Sequence, residues 1–293
     1  MSKVYIFYNP LANNGRSAES IEKLAAETAG ETVLCDVTKG YKDLLSALES
    51  DDSIILCGGD GTLNRFINDT DGCKIENDIL YYASGSGNDF ACDISLNRGD
   101  APVSLKKYLV DLPTVEVKGK SYKFINGIGY GIDGYCCEEG DRLRRIPGKK
   151  VDYTAIAIKG LLGKFTPKNA KVTVDGVTHE YKKVWLAPSM HGKHYGGGMI
   201  ATPNQDRENA EKISLLVWHG SGKLRTLMAF PSIFKGEHVK YTKFIEIIEG
   251  KEITVEFDKP CALQIDGETV LDVNGFLPGA LGARPELFIG FAP

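Results

Sequence analysis

Apolar positions along the first hundred residues recur with two periods. Runs of β-branched and aromatic residues at 4–8 ("VYIFY"), 31–37 ("ETVLCDV"), 53–57 ("SIILC") and 78–84 ("DILYYAS") are bounded by Gly, Asp or Asn and predict strands. Between them, Ile21, Leu24, Ala25 and Thr28 share one helical face, and Tyr41, Leu44, Leu45 and Leu48 another. A βαβαβ series of this kind makes a mainly parallel sheet covered by helices. Past Pro113 the pattern changes to hairpins, one turning at Lys118-Gly119-Lys120 and one at Asp175-Gly176. The segments 212–218 and 251–273 continue in that style. One helix interrupts them, with Val151, Thr154, Ala155, Ile158, Leu161, Leu162 and Phe165 on one face. A second helical stretch, 222–236, is broken by Pro231. The pattern therefore predicts two α/β and β parts: an α/β domain at 1–113, completed by a last strand within 278–293, and a β-sandwich at 114–277.

The 293 residues suffice for two ordinary domains, and 42% hydrophobic with 25% charged residues is a globular composition. A net charge of −4 gives no general attraction for nucleic acid or an anionic membrane, so neither is expected as a partner except through a local basic patch. No run of about 18 apolar residues occurs, so no transmembrane segment is expected. Seven cysteines without a CxxC pair, and an N-terminus too short in apolar residues for a signal peptide, point to the reducing cytoplasm. Cys136 and Cys137 are adjacent but lack a second pair at zinc-site spacing, and read as ordinary thiols.

Three strands of the first part run into polar or glycine-rich stretches: "NPLANNGRS" (9–17), "GGDGTLNRF" (58–66) and "GSGNDFA" (85–91). Ligands of such sheets bind outside the carboxyl ends of the strands. Glycine-rich turns that open helices let backbone N–H groups approach phosphate, yet two of these turns carry an aspartate, Asp60 and Asp89. A carboxylate beside phosphate is tolerable when Mg²⁺ stands between them, directly or through water. The alternative is that Asp60 caps the helix that follows it.

These three motifs, in this order and spacing, resemble the catalytic domain of the diacylglycerol kinase family, especially the bacterial soluble lipid kinases related to sphingosine kinases. "NGIGYGIDG" (126–134), "GGGMIATP" (196–203) and "LQIDGE" (263–268) extend the resemblance over nearly the whole chain. It implies an α/β nucleotide domain followed by a β-sandwich, with the active site in the cleft between them. It implies ATP contacts from Asn9, Pro10, Asn14, Gly15, Arg16, Thr38, Gly58, Gly59, Asp60, Gly61, Thr62, Asn64, Ser86 and Asn88, and a Mg²⁺ and phosphate network that includes Asp60 and Asp89. The general base is implied to be Glu268 in bacterial members, whereas sphingosine kinases assign that role to the aspartate matching Asp60. Asp133 matches a position that recognises the substrate head group. Read from pattern alone, Asp266-Gly267 is a hairpin turn and Asp133 can equally close a turn.

Two departures stand out. Arg65 replaces a glutamate usual in the family, and the segment 204–216 ("NQDRENAEKISLL") lacks the Asp-Asp-Gly-Leu that binds a structural Mg²⁺ in related enzymes, with Asp206 as the sole stand-in. The resemblance implies phosphoryl transfer from ATP to the hydroxyl of a diacylglycerol-like lipid at the inner membrane face, where the basic run "RLRRIPGKK" (142–150) offers a docking patch. A kinase of a soluble alcohol such as NAD, and a nucleotide- or lipid-binding protein with impaired catalysis, are the competing readings. A homodimer is left open.

Overall fold

Alternating apolar runs and amphipathic stretches form the first unit, Met1–Leu112, as β1 (Lys3–Tyr8), α1 (Ser17–Glu27), β2 (Glu31–Asp36), α2 (Lys42–Ser46), β3 (Ser53–Gly58), α3 (Asp60–Asp69), β4 (Asp78–Ala83), α4 (Asp89–Asp93) and β5 (Val103–Ser104). The computed structural model describes residues 2–12, 17–85, 87–149, 151–208, 211–273 and 288–291. The sheet order is β2-β1-β3-β4-β5, parallel except for the antiparallel edge strand β5. Side-chain alternation along β1 sends Ile6 to one face, where it packs with Ile21 and Leu24 of α1, while Phe7 meets Tyr41, which in turn contacts Phe66 of α3 edge-on. Both faces are thus covered, as a parallel sheet requires.

The second unit, Pro113–Pro293, contains β6 (Pro113–Val117), β7 (Lys120–Lys123), β8 (Gly127–Tyr130), α5 (Ile132–Arg144), α6 (Tyr153–Lys159), β9 (Lys168–Val174), β10 (Val177–Val184) and β11 (Ser189–Met190). It continues with β12 (His194–Tyr195), β13 (Met199–Ile200), β14 (Ile213–Trp218), α7 (Lys223–Ala229), β15 (Ile245–Gly250), β16 (Glu252–Phe257), β17 (Cys261–Ile265), β18 (Glu268–Val273) and β19 (Phe288–Phe291). Two six-stranded sheets result, ordered β10-β9-β16-β19-β6-β7 and β15-β14-β11-β8-β17-β18. Their facing residues form one core, in which Tyr130 of the second sheet stacks on Phe257 of the first at 4.7 Å. Strand β14 explains the layering. Ile213, Leu215 and Val217 enter that core, while Leu216 and Trp218 point to the opposite face and join a second core with α6, α7 and their flanking turns. All six of its residues are buried for this reason.

Three hairpins turn on two residues with positive φ, Lys118-Gly119, Asp175-Gly176 and Asp266-Gly267. This is the turn whose twist matches that of the flanking strands. The predicted helix at 151–165 forms as α6 and continues through a π-helical turn, Gly160–Lys164; at 222–236, α7 gives way to a 3-10 segment that has Pro231 in its first turn.

One expectation is corrected. The described part of 278–293, β19, pairs with β16 and β6 in the second unit and not with the first-unit sheet. The gap between those two strands would leave two rows of backbone groups unpaired, and a strand bonded on both edges fills it.

Helix α5, absent from the sequence reading, lies directly on β17. A Cβ at Gly134 would stand 1.8 Å from the Ala262 carbonyl oxygen. Gly134→Ala is therefore expected to destabilise the protein by about 1–3 kcal/mol, the usual range for overpacking, read as a lower urea midpoint; an unchanged midpoint would contradict this contact.

Candidate functional site

Strand pairing places the ends of the first-unit strands on one edge: Tyr8 lies beside Asp36 and Cys57, and Gly58 beside Ala83. The predicted loops therefore all leave the carboxyl edge of the sheet. Asn9 turns the chain there, its side-chain oxygen accepting from the Leu11 N–H at 2.9 Å, with Pro10 next in the same turn. After β2, Thr38 is exposed and bonded to Asp36 through both its N–H and its hydroxyl. Asn14, Gly15, Arg16 and Ser86 lie outside the described residues, as does Lys150 of the basic run.

The loops after β3 and β4 are packed backbone to backbone. A Cβ on Gly59 would meet the Gly87 carbonyl oxygen at 2.3 Å, and one on Gly85 would meet the Gly59 Cα at 2.4 Å. The Gly58 carbonyl accepts from the Ser84 and Gly85 N–H groups and from the Tyr81 hydroxyl, and a Cβ there would collide with Thr62. Across this junction the buried carboxylate of Asp60, at the start of α3, accepts the N–H groups of Asp89 at 2.9 Å and Phe90 at 3.0 Å. Asp60 thus caps a helix, but α4 across the junction, not α3 to which it belongs. Gly61 and Thr62 follow in the first turn of α3, and Asn64 is buried one turn on. Asn88 donates to the Gly85 carbonyl, yet its buried Oδ1 has no partner among the described residues. Arg65, the departure from the family pattern, is directed along α3 to Asp69 at 3.9 Å.

Asp60 and Asp89 are the two buried carboxylate residues that open the helices at this junction. Mg²⁺ keeps several waters and is commonly held by one or two carboxylates plus substrate phosphates. Among the described residues no cluster of three acidic, His or Cys side chains forms a protein-only cage. The orphaned Asn88 Oδ1 marks this junction as a place where a donor from a ligand or its water is wanted. Asp206 accepts from the Glu208 N–H at 3.0 Å.

In the second unit, Asp266 is the first residue of the β17–β18 turn and is buried. Its carboxylate accepts three backbone N–H groups, from Ile125 (2.7 Å), Asn126 (2.8 Å) and Gly127 (2.9 Å), while Arg207 bonds the Asn126 side chain and the Ile125 carbonyl. The sequence offered no signal for this, because the partners are about 140 residues apart. Glu268, two residues on, is exposed at the start of β18. Thr269 beside it donates to Asp141 of α5 at 2.7 Å.

Asp133, in the first turn of α5, is buried and receives the Tyr195 hydroxyl on both oxygens at 3.0 and 3.1 Å. Burial pushes its pKa up to about 8, opposed in part by that hydrogen bond. Burial likewise pushes the Cys137 thiol up to about 12 and raises that of Cys136, so neither is a poised thiolate.

The α/β unit with glycine loops at the carboxyl edge of its sheet and the two-sheet sandwich each match a known domain family. Residues 3–116 match the diacylglycerol kinase catalytic domain, and residues 126–287 the YegS C-terminal NAD kinase beta sandwich-like domain. The chain belongs to the family that joins these two domains. It is similar to a diacylglycerol kinase of Mycobacterium tuberculosis (strain ATCC 25618 / H37Rv), 24% identical over 271 residues that span 87% of this chain and 85% of that one. A Staphylococcus aureus (strain MRSA252) protein with lipid kinase in its name is 27% identical over 75% of this chain and 72% of its own. The fold is also that of a crystal structure described as a diacylglycerol kinase from Bacillus anthracis str. Sterne, with TM-score 0.60, 19% identity, and coverage of 99% of this chain and 93% of that one.

The raised pKa of Asp133 makes a prediction of definite sign. Folded and unfolded states are both protonated below about pH 4, and between there and about 8 only the folded state holds the proton. Stability should fall as pH rises through that window, by an amount on the order of a few kcal/mol. Asp133→Asn should flatten the decline in urea unfolding between pH 5 and 9, and parallel declines in the two proteins would rule the account out.

Proposed function

We propose that the protein is an ATP- and Mg²⁺-dependent lipid kinase that transfers a phosphoryl group to the hydroxyl of diacylglycerol or a similar long-chain lipid alcohol, met at a membrane surface. The observation that carries this reading is the Asp60 junction, at which two glycine loops of a diacylglycerol kinase catalytic domain are locked together at the carboxyl edge of the sheet. Phosphoryl transfer asks the protein mainly for positioning and charge neutralisation. Backbone N–H groups of the loops and Arg16 would hold the phosphates, and Asp60 and Asp89 would hold the metal, which when bound neutralises charge on the transferring group. Asn88 would take a donor from the nucleotide or its water shell.

A lipid alcohol must lose a proton as it attacks, and a positioned carboxylate can take it. Glu268 would be the base, on a hairpin whose turn is fixed by the three amides around Asp266. Asp133 would meet the head group. Kept largely protonated near neutral pH, it offers a hydrogen bond instead of a charge, which suits hydroxyl and ester groups better than an ammonium.

Incubation with labelled ATP and a lipid extract, followed by mass identification of the labelled product, tests the reading. Labelling of NAD but of no lipid would favour the soluble-alcohol kinase, and nucleotide binding without transfer to either would favour an impaired binding protein. Asp60→Ala is expected to abolish turnover. Glu268→Ala is expected to lower kcat by about 10²-fold or more, the usual range for loss of a general base; wild-type rates in both variants would defeat the site assignment.

A further inference from the structure

In the second unit, side chains that ought to be buried are turned to solvent on neighbouring elements. Leu162 is 61% exposed on the π-helical turn after α6, and Leu224 and Met228 are 70% and 68% exposed on one face of α7. Ile158 stands one turn before Leu162, and Phe234 packs edge-on against Phe230 in the segment that continues α7; both are more than a third exposed. The buried sides of these elements, through Ala157, Leu161, Ala229 and Phe230, meet in one core cluster. The π-helical turn and the segment after α7 both pack against α7, so the five exposed residues lie on adjoining elements. Contiguous apolar surface of this kind marks a binding surface.

The charges interleaved with them are of one sign. Lys159, Lys164, Lys223, Arg225 and Lys235 occur in segments 153–164 and 222–236, which contain no acidic residue. No salt bridge joins any of the five to a described carboxylate. Glu139 and Glu237, which feel Lys159, Lys164 and Lys235, are bonded to Arg142 and Lys240. The basic run expected from sequence to dock on membranes is differently placed: Arg142 is paired with Glu139, and Arg144 with Asp141 and the Tyr153 hydroxyl.

We propose that the face formed by α6, its π-helical turn, α7 and the segment after it docks the protein on an anionic lipid bilayer, with Leu162, Leu224 and Met228 entering the headgroup region. The inference rests on the lipid-kinase reading for its biological sense. Apolar side chains ringed by Lys and Arg are the composition of an interfacial surface, to which hydrophobic burial and attraction for anionic lipid both contribute. A second copy of the chain is a poor occupant, since self-association through this face would bring cations against cations.

Vesicle sedimentation without nucleotide tests it. The wild type should bind vesicles of phosphatidylglycerol and phosphatidylcholine more tightly than pure phosphatidylcholine. Leu224→Asp with Met228→Asp, and separately Lys223→Glu with Arg225→Glu, should each weaken binding at least about tenfold. Leu162→Gln provides a milder variant, and Arg145→Glu with Lys149→Glu should have the smaller effect. Circular dichroism and turnover of short-chain diacylglycerol in micelles should match the wild type in every variant. Equal sedimentation of wild type and patch variants overturns the proposal, as does a wild-type dimer that the patch variants dissociate while vesicle binding persists. Because binding is read without ATP, loss of the kinase reading appears as absent micelle turnover with docking intact.

Discussion

One carboxylate holds the carboxyl edge of the first unit's sheet together. Asp60 begins α3 but spans to the first two N–H groups of α4, so two helices that start from different strands share one cap. The contact requires Gly59 and Gly85 to pass the facing loop as bare backbone, since a Cβ on either would overlap it. The glycines therefore have a structural reason that precedes any ligand. A negative charge inside a phosphate-type turn is no contradiction under this arrangement. Two backbone donors and its burial within the junction fix its position.

The second unit repeats the device. Asp266 sits in a two-residue turn that its sequence demands, and from there its side chain gathers three N–H groups at the start of β8. The Asp-Gly pair at 175–176 makes the same kind of turn, and its side chain serves the N–H groups of Lys251 and Glu252 at the adjoining β15–β16 connection. Turn chemistry and long-range anchoring are thus combined in one residue. What distinguishes 266–267 is the chain it anchors: β8 runs directly into α5, and Glu268 follows the turn.

The two-part fold was legible because period-two alternation and X-Gly turns leave strong marks on a sequence. The loop cluster was legible because every glycine motif followed a strand. The bonds of Asp60 and Asp266 were not, since their partners lie 29 and about 140 residues away and backbone N–H groups carry no sequence signature. Helix α5 was hidden for a related reason. Its apolar face is interrupted by Gly134 and Gly140, which read as loop residues but are there because Ala262 and Tyr153 approach the helix too closely for a side chain. The return of the last strand was misjudged because a lone apolar run does not say which sheet has a vacant slot.

Helix α5 also connects the chemistry of its unit to its surface. One side contacts the β17–β18 hairpin through Gly134 and the Asp141–Thr269 bond, next to Glu268. The other side receives α6 and its π-helical turn, with Tyr153 against Gly140 and Tyr135 against Gly160. Its first turn carries Asp133, tied by Tyr195 to the β12–β13 hairpin. Close glycine contacts leave such a helix little freedom to shift alone, because packed interiors transmit displacement instead of absorbing it. Helix α5 is thus the element through which α6 meets both Asp133 and the hairpin bearing Glu268, the two second-unit residues for which the family resemblance implies substrate chemistry.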